Sequence, residues 1–119
     1  MTLQQLLAGL EAGEQDFEAV QAWILAHYDY TPAGFVNGLG EGAVSNPPGT
    51  NEGSCRLFAF ALDQGLDAET TLRCFGRHYR HVLADPAGSD HANIRQFMRH
   101  GWAGIRFEGL ALVRKTGRM

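Results

Sequence analysis

"SCRLFAFALDQG", Ser54 to Gly65, is the stretch whose reading decides the fold. From Cys55 to Leu62 every residue except Arg56 is apolar, so a helix built on it shows little polar surface before Asp63. A helix that is apolar nearly all round belongs in a core. Ser54 offers an N-cap oxygen and Gly65 a C′ residue that tolerates a left-handed turn. The expectation is a short helix through the centre of the molecule, with the other elements laid around it.

Two amphipathic helices precede it. "TLQQLLAGL" places Leu3, Leu6, Leu7 and Leu10 on one face, with Thr2 and Gln5 at capping-box spacing. Asp16 can cap a second helix whose stripe is Phe17, Val20, Ile24 and Tyr28, with His27 near its centre. On the other side, Asp67 caps a fourth helix in which Leu72, Phe75, Tyr79, Val82 and Leu83 keep helical spacing until "ADPAG" stops it. In "GSDHANIRQF", Ser89 or Asp90 can cap a fifth, with Ile94, Phe97 and Met98 inward and Gly101 as terminator. "GWAGIRFEG" then alternates as a half-buried strand does, and "LALVR" offers another.

Residues 29–53 lack helical periodicity. Pro32, Pro47 and Pro48 break it, and Asn37-Gly38 is a turn signal. Such a long connection inside a compact domain is uncommon, and it points to a functional loop, a linker or hidden structure. "GFVNG" is the one stretch within it that reads as a short strand. The fold expected is α+β: a single helix-dominated domain over residues 1–119, of about five helices, with a small antiparallel sheet near the C-terminus.

Composition narrows the function. The chain has 119 residues, 45% hydrophobic, with ten Lys+Arg against thirteen Asp+Glu for a formal net charge of −3. No positive excess is available to neutralise a phosphate backbone, so nucleic acid is not the expected partner. The basic end "VRKTGRM" reads as a solvated tail. The N-terminus carries no signal-peptide pattern, and no apolar run is long enough to span a membrane, so a cytoplasmic protein without membrane contact is expected. Cys55 and Cys74 form no CxxC, and reduced thiols are the default.

Three constellations carry possible chemistry. In "NEGSC", a loop delivers Cys55 to the start of a helix, where unpaired N–H groups favour a thiolate; with His91 or His78 as base and Asn93 or Asn37 to orient it, this is the composition of a cysteine hydrolase. The opposing reading is a core cysteine on an apolar helix. His78 and His81 have HxxH spacing, but His78 reads as a flank position, His81 as outward, and no carboxylate sits at ligand spacing beside them; neither metal nor cofactor is expected. "GLGEG" and "GTNEGS" imitate phosphate loops without the strand–helix context or the lysine those need. An oxyanion over the amides of Gly53 to Arg56 remains open, with Glu52 counting against it.

"FVNG" at 35–38, "GTNEGSC" at 49–55, "TLRCFGRHYRHVL" at 71–83, "DPAGSDHANIRQFM" at 85–98 and "GWAGIRFEG" at 101–109 together resemble the HopJ type III effector protein family, over nearly the whole chain after residue 28. That family is named from a protein delivered into plant cells by a bacterial secretion apparatus. The resemblance implies a bacterial protein but no established activity. It marks Asn37, Asn51, Ser54, Cys55, Tyr79, Arg80, His91, Asn93 and Arg95 as motif positions. A type III export signal is unstructured and Ser-rich, whereas "MTLQQLLAGLEAG" reads as helical.

The leading expectation is a small binding protein with a polar pocket at the starts of the third and fifth helices, covered by the 29–53 loop. Its ligand-binding candidates are Asn37, Asn51, Ser54, Tyr79, Arg80, His91, Asn93 and Arg95. On that reading His91→Ala and Arg95→Ala abolish binding and leave stability nearly unchanged. The alternative is a cysteine-dependent hydrolase or acyl transferase using Cys55 and a histidine such as His91, and a third is a module that binds a protein partner through the loop.

Overall fold

The computed structural model describes residues 1–115; part of the basic end read as a tail lies outside them. Helix α1 spans Leu3–Ala12, α2 Phe17–His27, α3 Glu52–Gln64, α4 Ala68–Arg73, α5 Arg77–Ala84 and α6 Ala92–His100. Five short strands complete the fold: β1 Tyr28–Tyr30, β2 Phe35–Asn37, β3 Val44–Asn46, β4 Ile105–Phe107 and β5 Leu112–Arg114. The architecture is α+β and helix-dominated, as expected.

Helix α3 is the centre. Leu57, Phe58, Phe60 and Ala61 are fully buried, and only Leu62 on this run faces solvent. Phe58 is an aromatic hub: its ring lies 4.9 Å from that of Phe97 on α6, 5.4 Å from Phe75, 5.9 Å from Phe35 on β2 and 6.2 Å from Trp102. One hydrophobic cluster runs from Leu6 on α1 to Leu112 on β5. Around it, α1 packs Leu6 and Leu10 inward behind the expected capping box, in which Thr2 Oγ1 accepts from the Gln5 N–H and Gln5 Oε1 from the Thr2 N–H.

The stretch that looked structureless carries three short strands. β2 pairs antiparallel with β3 on one side and β4 on the other, setting Phe35 opposite both Asn46 and Phe107; β1 pairs antiparallel with β5. The sheets therefore join residues 28–46 to the C-terminal strands rather than lying near the C-terminus alone. Each strand is three residues long, too short to display alternation, and most of the pairing is long-range. Tyr28, read as the last residue of the second helix, instead opens β1 and is buried there.

The expected fourth helix is two. Gly76 interrupts it with φ +59° and ψ −127°, and the apolar spacing survives because α5 resumes on the same side. A β-carbon at Gly76 would run into Asp16 Oδ1. That carboxylate accepts from the N–H of Phe17 at 2.8 Å and from the N–H of Arg77 at 2.9 Å, so it caps α2 and α5 together. Leu83 and Met98, expected inward, are 52% and 42% exposed because these helices lie on the surface of the core.

Candidate functional site

Two helix starts differ from expectation, and both open on a left-handed residue. Helix α3 begins at Glu52, so its N-cap is Asn51, not Ser54; α6 begins at Ala92, so its N-cap is His91, not Ser89 or Asp90. Asn51 (φ 53°, ψ 49°) and His91 (φ 51°, ψ 49°) are the non-glycine residues with positive φ among those described. Neither caps its helix with its side chain. Left-handed backbone costs a non-glycine residue roughly 1–2 kcal/mol, less for Asn, and such strain concentrates at functional positions.

With no capping oxygen, the N–H groups of Glu52, Gly53 and Ser54, and of Ala92, Asn93 and Ile94, have no hydrogen-bond partner among the described residues. Both first turns open on one cavity of about 460 Å³. Gly53, Ser54, Ala92, Asn93 and Ile94 line it from the helix starts; Asn51, His78 and His91 line its polar side, and Phe17, Val44 and Phe75 its apolar side. Among the described residues no carboxylate lines it. Glu52, which counted against an anion, turns away and accepts from the Tyr30 hydroxyl at 2.8 Å. Burial, reinforced by Arg77 and His91, holds the His78 imidazole below its ordinary pKa, and its ring meets that of Phe17 edge-on at 5.0 Å.

Buried asparagines set the geometry of this cavity. Asn93 Oδ1 accepts from Asn37 Nδ2 at 3.0 Å and Asn46 Nδ2 at 3.2 Å, and Asn93 Nδ2 donates to Asn46 Oδ1 at 2.9 Å. Asn51 Nδ2 donates to the same Asn46 oxygen at 2.8 Å, and Asn37 Nδ2 also reaches the Asn93 carbonyl at 2.8 Å. The network ties β2 and β3 to both helix starts. Asn46 is absent from the sequence-derived candidates; the signal that could have found it is an asparagine before Pro47-Pro48 at the end of the anomalous stretch.

The remaining candidates separate. Cys55 does not line the cavity: it is 1% exposed, its Sγ donates to the Ala33 carbonyl at 3.4 Å, and burial pushes the thiol up. Because α3 starts three residues before Cys55, the Cys55 N–H already bonds the Asn51 carbonyl and the thiol turns into the core. Among the described residues Cys55 shares neither a hydrogen bond nor this cavity with an imidazole. Tyr79 and Arg80 border a different surface groove with Leu10 and Arg73. Arg95 is a clamp: Nε donates to the Asp90 carbonyl at 2.6 Å, Nη1 to the Asp85 carbonyl at 2.8 Å and Nη2 to Asp90 Oδ1 at 2.7 Å, with its side chain only 14% exposed.

The histidines are closer than sequence spacing suggested. The turn after α5 returns Asp90 and His91 alongside it. His78 and His81 lie 5.3 Å and 5.4 Å, ring to ring, from His91. His81 Nε2 is 3.1 Å from Asp90 Oδ2, so the carboxylate missing from the local pattern is supplied by tertiary structure.

Fold and site define a small α+β domain with a donor-lined cavity between two uncapped helix starts. The chain matches the model of the family described as HopJ type III effector protein over residues 3–112. It belongs to that family. It is also similar to a crystal structure of a protein of unknown function, VPA0580, with 48% identity and a TM-score of 0.85, over 97% of this chain and 95% of that one. No curated protein matches significantly. Among the described residues no helix is long and apolar enough to cross a membrane.

Proposed function

We propose that this HopJ-family protein binds a small organic anion, a carboxylate or phosphate ester with an apolar portion, in the cavity between the starts of α3 and α6. The observation that carries the reading is the convergence of two uncapped first turns on one carboxylate-free cavity. Each helix N-terminus carries about half a positive charge and several unpaired donors, the arrangement that receives anions. The Ser54 hydroxyl and the His78 and His91 rings add side-chain donors, and Phe17, Phe75 and Val44 suit a short apolar group. Of the ligand-binding candidates, Asn51, Ser54, His91 and Asn93 belong to this reading; Asn37 and Arg95 support it from behind.

The test is titration of the metal-free protein, in chelator, with inorganic phosphate, followed by amide NMR. Binding at a dissociation constant on the order of 1 mM is expected for so small a probe. The shifts should concentrate at Gly53, Ser54, Ala92, Asn93 and Ile94, and His91→Ala should weaken them. Shifts scattered over surface arginines, or none at these amides, would refute the reading.

A further inference from the structure

Where α5 ends and α6 begins, three ligand-type side chains meet, and one of them, His91, also lines the cavity. His81, Asp90 and His91 each bring one ligating atom to within 4.8 Å of the others. Donors bound at about 2.1 Å around a tetrahedral ion stand roughly 3.4 Å apart. Closing the cluster therefore takes small side-chain rotations, which are open to His81 and Asp90 because their side chains are 57% and 51% exposed.

We propose that His81, Asp90 and His91 form a binding site for a divalent first-row transition-metal ion, of which zinc is the prototype. Two imidazoles and one carboxylate suit Zn²⁺, Co²⁺ or Ni²⁺ and are poor partners for Mg²⁺ or Ca²⁺, which take oxygen. The support behind the ligands is already built. Arg95 Nη2 holds Asp90 Oδ1 at 2.7 Å, leaving Oδ2 facing His81, and Arg95 is itself fixed by the carbonyls of Asp85 and Asp90. Outer hydrogen bonds of this kind orient the ligating carboxylates of metal sites. The left-handed backbone of His91 sets its ring between those of His78 and His81, and no hydrogen bond among the described residues occupies its nitrogens. Three protein ligands leave a fourth position for water or an anion. This assignment goes beyond the anion reading and shares with it only His91 and the supporting Arg95.

The experiment is titration of the full chain with Co²⁺ in phosphate-free buffer, read by visible absorption and then by displacement with Zn²⁺. One equivalent is expected to bind with ligand-field bands and no thiolate charge-transfer band, since both cysteines are buried. His81→Ala and Asp90→Asn should each weaken binding at least tenfold, whereas His27→Ala, whose ring stacks on Trp23 at 3.9 Å, should not change it. Because His81 does not line the cavity, His81→Ala should leave the phosphate titration of metal-free protein unaltered, so failure of one reading is distinguishable from failure of the other. The proposal is overturned if no Co²⁺ binds by about 1 mM, if His81→Ala binds it like the wild type, or if a thiolate band appears.

Discussion

Replacing Arg95 by alanine removes a guanidinium that makes three short hydrogen bonds, to the Asp90 carbonyl at 2.6 Å, the Asp85 carbonyl at 2.8 Å and Asp90 Oδ1 at 2.7 Å. Hydrogen bonds to charged groups contribute about 1.5–3 kcal/mol each where water is excluded. The acceptors here are solvent-exposed and can re-hydrate, so about 1 kcal/mol apiece is the appropriate scale, or about 2–3 kcal/mol in all. Unfolding entropy near 2.1 cal/mol/K per residue makes 1 kcal/mol equivalent to about 4 °C for a chain of this size. Arg95→Ala should thus lower the melting temperature by about 8–12 °C. Far-UV circular dichroism on heating measures this, with guanidinium unfolding as a second probe. Arg95→Lys should recover less than half, because an ammonium cannot reproduce the planar fork that reaches two carbonyls and a carboxylate. A change below about 0.5 kcal/mol, the range of an ordinary surface substitution, would refute the clamp and restore Arg95 as a ligand contact.

Two further predictions follow from buried or shared groups. Asp16→Ala should cost about 2 kcal/mol, since it uncaps α2 and α5 at about 1 kcal/mol each. Hydrogen bonds from the Arg77 and Phe17 N–H groups hold the Asp16 carboxyl below its ordinary pKa, so its stabilisation is present above about pH 4 and is lost as pH falls through the lowered value. The smaller deficit of Asp16→Asn at neutral pH should accordingly shrink in acid, in parallel melts of the two proteins; a deficit that grows instead would reverse the sign of the argument. Iodoacetamide should alkylate neither cysteine faster than the protein unfolds, because burial raises Cys55 and pushes Cys74 up to about 12. Rapid labelling of Cys55 in the native state at neutral pH would revive its role as a nucleophile.

Much of the fold was legible because it is local. The apolar run 55–62 announced a central helix, the leucines at 3, 6, 7 and 10 announced α1, and Asp16 and Asp67 cap the helices they were expected to cap. The strands at 28–30 and 44–46 were not legible, since three residues carry no period and the partner of the first lies at the far end of the chain. The break at Gly76 was missed because the apolar spacing continues across it. Candidate residues fared according to the same division. Residues of both "NEGSC" and "SDHANIRQF" line one cavity. Yet Cys55 faces the core rather than that cavity, and Arg95 grips the preceding turn, because the side-chain directions depend on where each helix begins.

The sequence by itself determined which residues are apolar and at what period, and hence the helices, the centre of the core and the pairing of two polar helix starts as the region of interest. Tertiary structure alone decided what that region is made of. Left-handed backbone at Asn51 and His91 moves each helix start off its expected cap, earlier in the chain for α3 and later for α6, and frees the first-turn amides. Buried asparagines 37, 46 and 93 then lock two strands against them, and the turn after α5 carries Asp90 to His81. The physical reason is that hydrophobic periodicity is a local property of the chain. Hydrogen-bond partners and the convergence of ligating atoms depend on segments up to 90 residues apart in sequence.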